Sequence, residues 1–444
     1  MLAGLAGAVS GLRSPAAEPR PNLILILADD MGYADASCYG NDRYATPHID
    51  ALAREGLRFT DFHANGPVCS PTRAALMTGR YQQRSGITGV VFADPARGLR
   101  ETHGLRPSEI ALAKPLRAAG YRTALFGKWH LGYATTFNPR QHGFDEFRGY
   151  VSGNVDYHAH IDQADFFDWW QGLEKKDEPG YTTHLISGHA IRFIEKNRSA
   201  PFFLYVAHEA PHGPYQGPDD PPVRGPHAQP PVPGPEIPRA YREMVQEMDR
   251  GVGEVVAAVK RLGLAERTLI FFFSDNGGTS HSNNGPLRGT KGSVWEGGHR
   301  VPAIAWWPGR IAAGGVTNAT ALSMDLMPTL LELAGTNVPA GHRLDGMSLR
   351  SVLLEQGELR ERTVFWDYND RQAVRRGPWK LLINQTNPRP PSAGKDRPPS
   401  SGGGVQLFNL AEDLGEATDL AARHPERVQA MQSELKAWQA EVAR

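Results

Sequence analysis

The sequence predicts an α/β sandwich around a mainly parallel central sheet, followed by a smaller C-terminal α+β subdomain with an antiparallel sheet. Three observations point there. Apolar runs without alternation recur at residues 22–28 (NLILILA), 201–207 (PFFLYVA) and 268–273 (TLIFFF), as expected of strands covered on both faces. Helical stretches separate them, most clearly over 241–262, where Met244, Val245, Met248, Val252, Val255, Val256, Val259 and Leu262 form one apolar face. Beyond about residue 355 the texture changes to short strands and one terminal helix.

Taken in order, the run 22–28 ends in Asp29-Asp30. Two adjacent carboxylates at the carboxyl end of a buried strand repel each other unless a cation or a ring of donors is present, and open parallel sheets bind ligands at that edge. The stretch Cys69-Ser70-Pro71-Thr72-Arg73 opens a helix in which Ser70 suits the N-cap, Pro71 the first position and Gly79 the stop. Cys69 thus sits at a helix N-terminus, which favours a bound oxyanion, and Arg73 adds a planar cation one turn on. A helical segment from Pro107 to Gly120, interrupted by Pro115, leads into a strand over 122–126 and then Lys128 and His130. The run 201–207 ends near His208 and His212, and 268–273 delivers Ser274, Asp275 and Asn276. Residues 301–307 read as one more strand.

Eleven of the 28 residues from Pro211 to Pro238 are proline, which excludes a helix and implies a stiff loop. The strand before it and the helix after it belong to one βαβ pattern, so the loop is placed on the rim of the site, where substrates are selected. Short strands are expected at 363–368, 372–375, 379–384 and 405–409, broken by a Pro/Gly/Ser-rich stretch at 387–404. A last helix, 426–442, carries Val428, Met431, Leu435 and Trp438 on one face. The expected organisation is 1–20 as a targeting remnant, 21–355 as the catalytic domain and 356–444 as the C-terminal subdomain.

Forty-eight basic and 48 acidic residues cancel, so no global field recruits nucleic acid or an anionic membrane. No uninterrupted apolar stretch reaches the roughly 20 residues of a spanning helix. Cys38 and Cys69 allow at most one disulfide, and none if Cys69 is consumed by oxidation. The first 12 residues are small and apolar, and Ser14-Pro15-Ala16-Ala17 reads as a cleavage region, although no positive charge precedes the run. The segment reads as a weak or truncated signal, and the expected location is periplasmic or secreted.

Cys-x-Pro-x-Arg followed by Ala-Ala-Leu-Met-Thr-Gly-Arg resembles the signature of the type I sulfatases, whose cysteine a maturation enzyme oxidises to Cα-formylglycine. Further matches follow in the family's order: NLILILADD at 22–30, GKWHLG at 127–132, PHGP at 211–214, SDNGG at 274–278 and KGSVWEGG at 291–298. The region 291–349 is similar to the arylsulfatase A and N-acetylgalactosamine-6-sulfatase branch. The resemblance implies an alkaline phosphatase-like fold, hydrolysis of sulfate monoesters, and a sulfated sugar or other small sulfate ester as substrate. It also implies a formylglycine-generating enzyme as partner.

Asp29, Asp30, Asp275 and Asn276 supply hard oxygen donors which, with an oxygen at position 69, suit Ca²⁺ better than Mg²⁺. The family uses the same protein ligands. A sulfate ester explains the oxidation: of the two hydroxyls of a formylglycine hydrate, one attacks sulfur and the other, deprotonated, expels sulfate as the aldehyde re-forms. Carried over residue by residue, Cys69 is the nucleophile and Arg73 holds the hydrate. His130 is the base for the second hydroxyl, and His212, with Lys291, is the acid for the leaving alcohol. Lys128 and Lys291 bind sulfate oxygens. Ser152, Asn154, His208 and His299 are expected near the substrate, and Phe166, Phe167, Trp169 and Trp170 could stack on sugar faces. Three rivals stay open: a phosphonate monoester hydrolase on the same pattern, a non-catalytic glycan-binding protein, and a thiol enzyme pairing Cys69 with His130.

Overall fold

The computed structural model describes residues 20–94, 97–386 and 404–443. The targeting segment expected over 1–20 and the Pro/Gly/Ser-rich stretch 387–404 lie, but for Arg20 and Gly404, outside the described residues. Strand β1 (Asn22–Ala28) sets the architecture, because alternate side chains enter different cores. Leu23, Leu25 and Leu27 join one, and Ile24, Ile26 and Ala28 the other. A strand sandwiched in this way has no solvated face, which is why its sequence does not alternate.

The strands that follow are β2 (Leu57–Phe59), β3 (Phe62–His63), β4 (Arg122–Lys128), β5 (Glu146–Tyr150), β6 (Trp170–Gln171) and β7 (Glu174–Lys175). After them come β8 (Phe202–Ala207), β9 (Thr268–Ser274), β10 (Ala303–Trp306), β11 (Gly315–Thr317) and β12 (Ala321–Leu322). Ten of these form one sheet in the order β11-β2-β10-β9-β1-β8-β4-β5-β6-β7. Its centre, β9-β1-β8-β4-β5, is parallel, whereas β10 runs antiparallel to β9 and the β5-β6-β7 edge is antiparallel. The expected strand at 301–307 is therefore present as a reversed neighbour of the parallel core.

Helices α1 (Pro47–Glu55), α2 (Cys69–Thr78), α3 (Thr182–Asn197) and α4 (Ile237–Arg261) cover the two faces. The first, third and fourth give Ile49, Phe193, Met248 and Val252 to one core, and α2 gives Ala74, Leu76 and Met77 to the other. Two local expectations need correction. The segment before β4 is helical only over Ala113–Ala118, with Pro115 inside its first turn, where the missing N–H would have had no helical partner. Ser70 is also not the cap of α2, which Val68 precedes in extended conformation, so Cys69 is the first helical residue. The Ser70 hydroxyl instead accepts from Val91 N at 3.0 Å, tying α2 to the following loop.

The C-terminal sheet is a meander, β13 (Thr363–Tyr368), β14 (Arg371–Arg376), β15 (Trp379–Ile383) and β16 (Val405–Asn409), with α5 (Pro425–Val442) packed on it. Its apolar core reaches Ala75 of α2 and Trp295 beside the long loop after β9. Below that contact lies a buried polar cluster. Lys380 Nζ stands 2.8 Å from Glu296 Oε1 and 2.9 Å from Glu416 Oε1, and Arg375 holds both oxygens of Asp61 at 2.7 and 2.8 Å. Breaking a buried ion pair by removing one partner leaves an uncompensated charge. Lys380→Met should therefore destabilise the fold by about 3–5 kcal/mol, read from the urea midpoint at constant m.

Candidate active site

The carboxyl ends of β1, β4, β8 and β9 and the first turn of α2 converge. From β1 come Asp29 and Asp30, both buried, and from β9 come Asp275 and Asn276, also buried. Asp30 adopts φ 67° and His130 φ 55°, left-handed conformations that are sparsely populated for residues with a Cβ and that cluster at functional sites. Gly127 allows the close approach of β4 to β8, because a Cβ there would stand 2.0 Å from the Ala207 carbonyl oxygen.

Three cations face three carboxylates. The Arg73 guanidinium donates from Nε and Nη2 to Asp275 Oδ2 at 3.0 and 2.8 Å, and from Nη1 to the Lys128 carbonyl at 3.0 Å. Lys128 is buried and ion-paired with Asp29. Lys291 Nζ lies 2.7 Å from Asp30 Oδ1 and 3.4 Å from Cys69 Sγ. Burial alone would raise the Asp30 carboxyl, yet Lys291 and His212 hold it well below the usual carboxylate range. Asp275 is pushed up to about 6 by burial and by Asp29, against the pull of Arg73. Burial pushes the Cys69 thiol up to about 12, despite Lys128 and Lys291. Sγ faces Asp29 Oδ1 at 3.7 Å and Lys291 Nζ, and makes no hydrogen bond to an imidazole among the described residues.

The two histidines are fixed by carbonyls, which can only accept. His130 Nε2 donates to the Val91 carbonyl at 3.1 Å, leaving Nδ1 a buried acceptor with no protein partner among the described residues. Burial, reinforced by Lys128 and Arg73, holds this imidazole well below its ordinary value. His212 Nδ1 donates to the Gly213 carbonyl at 2.6 Å and turns Nε2 toward Asp30 Oδ2 at 3.6 Å. Burial and Lys291 bring His212 down to about 3.

Cys69, His130, His212 and Lys291 line one cavity of about 250 Å³, together with Val90, Phe92, Gly153, Asn154 and Gln163. Lys128 and Arg73 stand behind these residues, on Asp29 and Asp275. Among the residues expected near substrate only Asn154 lines the cavity; Ser152 instead donates from Oγ to the Asn154 carbonyl and closes that turn. His208 continues the ladder through its N–H to Leu27 O, and its ring packs near Gly251 of α4, both nitrogens unpartnered among the described residues. His299 is stacked on Trp366 and shares a 3.0 Å Nδ1–Nδ1 contact with His63 in the polar cluster beneath the C-terminal sheet. Both are correctly adjacent in sequence but turned into packing. Trp169 and Trp170 are core residues, Phe167 packs against the core, and Phe166 is exposed.

Gly153, Gln163 and Phe92 belong to no motif in the sequence. Gly153 carries a readable signal only in three dimensions: a Cβ there would lie 2.9 Å from His130 Nε2.

A family model described as Sulfatase matches residues 21–336. The chain belongs to the sulfatase family. It is a sulfuric ester hydrolase, with the large mixed sheet of the alkaline phosphatase-like fold. It is 36% identical over 395 residues to N-acetylgalactosamine-6-sulfatase of Mus musculus, covering 84% of this chain and 74% of that protein. It is 34% identical over 454 residues to arylsulfatase A of Bos taurus, covering 91% and 84%. The crystal structure of Ps i-CgsB in complex with k-i-k-neocarrahexaose superposes with a TM-score of 0.81 at 31% identity, covering 94% of this chain and 92% of that one.

The donor set of this sulfatase fits a hard cation. Asn276 Oδ1 is buried and unpartnered among the described residues, and the ligand atoms of Asp29, Asp30, Cys69 and His212 lie within 4.8 Å of one another. Beside the one sulfur of Cys69 and the one imidazole of His212 the donors of Asp29, Asp30, Asp275 and Asn276 are oxygens, which suit Ca²⁺ better than zinc. After chelation, Ca²⁺ titrated into the protein should bind in calorimetry and raise the unfolding temperature, and Asp275→Ala should weaken that binding at least about tenfold. Gly153→Ala should lower kcat by roughly tenfold or more through displacement of the His130 ring, with Ca²⁺ affinity unchanged.

Proposed function

We propose that this sulfatase hydrolyses sulfate monoesters of a carbohydrate, using Cys69 oxidised to Cα-formylglycine and a Ca²⁺ ion held by Asp29, Asp30, Asp275, Asn276 and residue 69. The observation that carries this reading is the convergence of Cys69, His130, His212 and Lys291 on one cavity directly above the acid/amide cluster. The carbohydrate is supported by the relatives: one is named for a sulfated amino sugar, and one structural neighbour was solved with an oligosaccharide.

The bound ion would supply a Lewis acid that polarises the sulfate and the residue-69 oxygen. The hydrate at residue 69 would supply a nucleophilic hydroxyl and a second hydroxyl for release. The chain's own residues supply the rest. Lys291, held well above the ordinary lysine range by Asp30 and Cys69 against burial, is a charged donor beside the reacting position. It neutralises a sulfate oxygen and is the group already carrying a proton for the leaving alcohol. His212 converges with it on Asp30 and shares that role once protonated. His130 offers the lone pair of Nδ1 as base, its Nε2 proton being committed to Val91. Arg73 and Lys128 pair with Asp275 and Asp29 and hold them in place, a positioning part alongside the substrate contacts expected of them.

The reading includes a formylglycine-generating enzyme as partner, a periplasmic or secreted location, and a catalytic domain over 21–355 with 356–444 as its subdomain.

Protein from a maturation-competent host should show a residue-69 peptide about 18 Da lighter than the cysteine form, from replacing CH₂SH by CHO. Cys69→Ala should abolish turnover of sulfate esters in a steady-state assay. Full activity in Cys69→Ala would overturn the mechanism, and higher kcat/KM on phosphonate or phosphate diesters than on sulfate monoesters would overturn the substrate class.

A further inference from the structure

One wall of the cavity is not engaged by the groups above. It consists of Val90, Phe92, Gly153, Asn154 and Gln163. Asn154 is fixed at both ends: Oδ1 accepts from Arg224 Nη2 at 2.7 Å, and Nδ2 donates to Gln163 Oε1 at 2.8 Å. The direction of this chain follows from chemistry, because arginine only donates. Asn154 must therefore present its oxygen to Arg224 and its amino group to Gln163. Gln163 must answer with its oxygen, and its own amino group is the end left for a ligand. Phe92, 53% exposed, lines the same space. An amide donor beside an aromatic face matches an alcohol that carries several oxygens and a C–H face, which is a saccharide.

Arg224 comes from the proline-rich segment and is itself anchored. The side chain of Asp156, fully buried, accepts through Oδ2 from Val223 N at 2.6 Å, Arg224 N at 3.1 Å and Gln216 Nε2 at 3.2 Å. Through Oδ1 it accepts from His158 N and Ala159 N, at 3.0 and 2.8 Å. Arg224 Nη1 donates to Ile161 O at 3.1 Å. Gly225, at φ 85°, brings the two loops together where a Cβ would stand 2.3 Å from Ile161 Cδ1. The proline-rich loop, which gives His212 to the cavity, thus also braces this wall through Arg224, held from both its backbone and its guanidinium.

We propose that Gln163, Asn154 and Phe92 form the subsite for the saccharide part of the substrate, and that Arg224 is a positioning residue that sets the Asn154–Gln163 amide pair. The proposal rests on the sulfated-carbohydrate reading. The test uses matured enzyme, with sulfated monosaccharides as one substrate set and para-nitrophenyl sulfate, which has no sugar, as the other. Gln163→Ala, a substitution of an exposed side chain, and Arg224→Ala should each lower kcat/KM on the saccharide roughly tenfold, mainly through KM, and leave the aryl sulfate within about twofold. Arg224→Lys, which keeps one donor, should recover part of the loss. Equal losses on both substrates would mean a merely structural role, and no loss on the saccharide would remove the subsite; either overturns the proposal. A wild-type enzyme that turns over the aryl sulfate and no sulfated saccharide overturns the carbohydrate reading itself, before any variant is compared.

Discussion

Three carboxylates, Asp29, Asp30 and Asp275, are gathered at one buried edge of the sheet, and the site depends on what stands beside each of them there. Like charges desolvated together repel, and their simplest escape is protonation. The chain answers with Arg73, Lys128 and Lys291, one beside each carboxylate. Those cations would be as costly to bury alone. The cluster balances as a set of three pairs, and Cys69 stands within reach of two of them, through Asp29 and Lys291.

Such a set needs a rigid frame, which the continuous apolar strands provide. β1 and β9 pair over their whole lengths, so Ala28 and Ser274 are in register and the acidic residues that follow emerge side by side. Cores on both faces hold this register, and α2, all ten residues of which are buried, cannot shift Cys69 relative to it. The left-handed backbones of Asp30 and His130 persist because the surroundings determine them. Secondary structure, packing and electrostatics thus meet at a few atoms.

The frame and the chemical core were legible because both are local. An apolar run without alternation marks a doubly covered strand, and the polar residues after it fall at the ligand-binding edge. The C-terminal meander was likewise readable from short runs and turns. Where expectation failed, a distant partner decided. Ser70 has a capping side chain but spends it on Val91, and Pro115 falls in a first turn rather than mid-helix. His208 and His299 sit next to segments of the candidate site, yet one turns under α4 and the other stacks on Trp366. Gln163 is linked through Asn154 to Arg224 of the proline-rich segment, a tertiary contact with no short-range trace.

The loop bearing Lys291 is held by contacts from the far end of the chain. Arg371 donates to Gly292 O at 2.8 Å, Gln385 accepts from Val294 N at 2.9 Å, and Glu416 accepts from Glu296 N at 2.7 Å. All three lie beyond residue 336, where the match to the family model ends. Synthesis is vectorial, and that gives the arrangement a temporal meaning. A chain emerging amino end first has Cys69 and the acidic cluster long before the segments that fasten the last cation over them. On the proposed reading, the thiol of Cys69, 2% exposed in the finished fold, would be most open to a modifying enzyme during that interval. The order of residues along the chain thus doubles as a schedule, in which the residues of the site are made before those that close it.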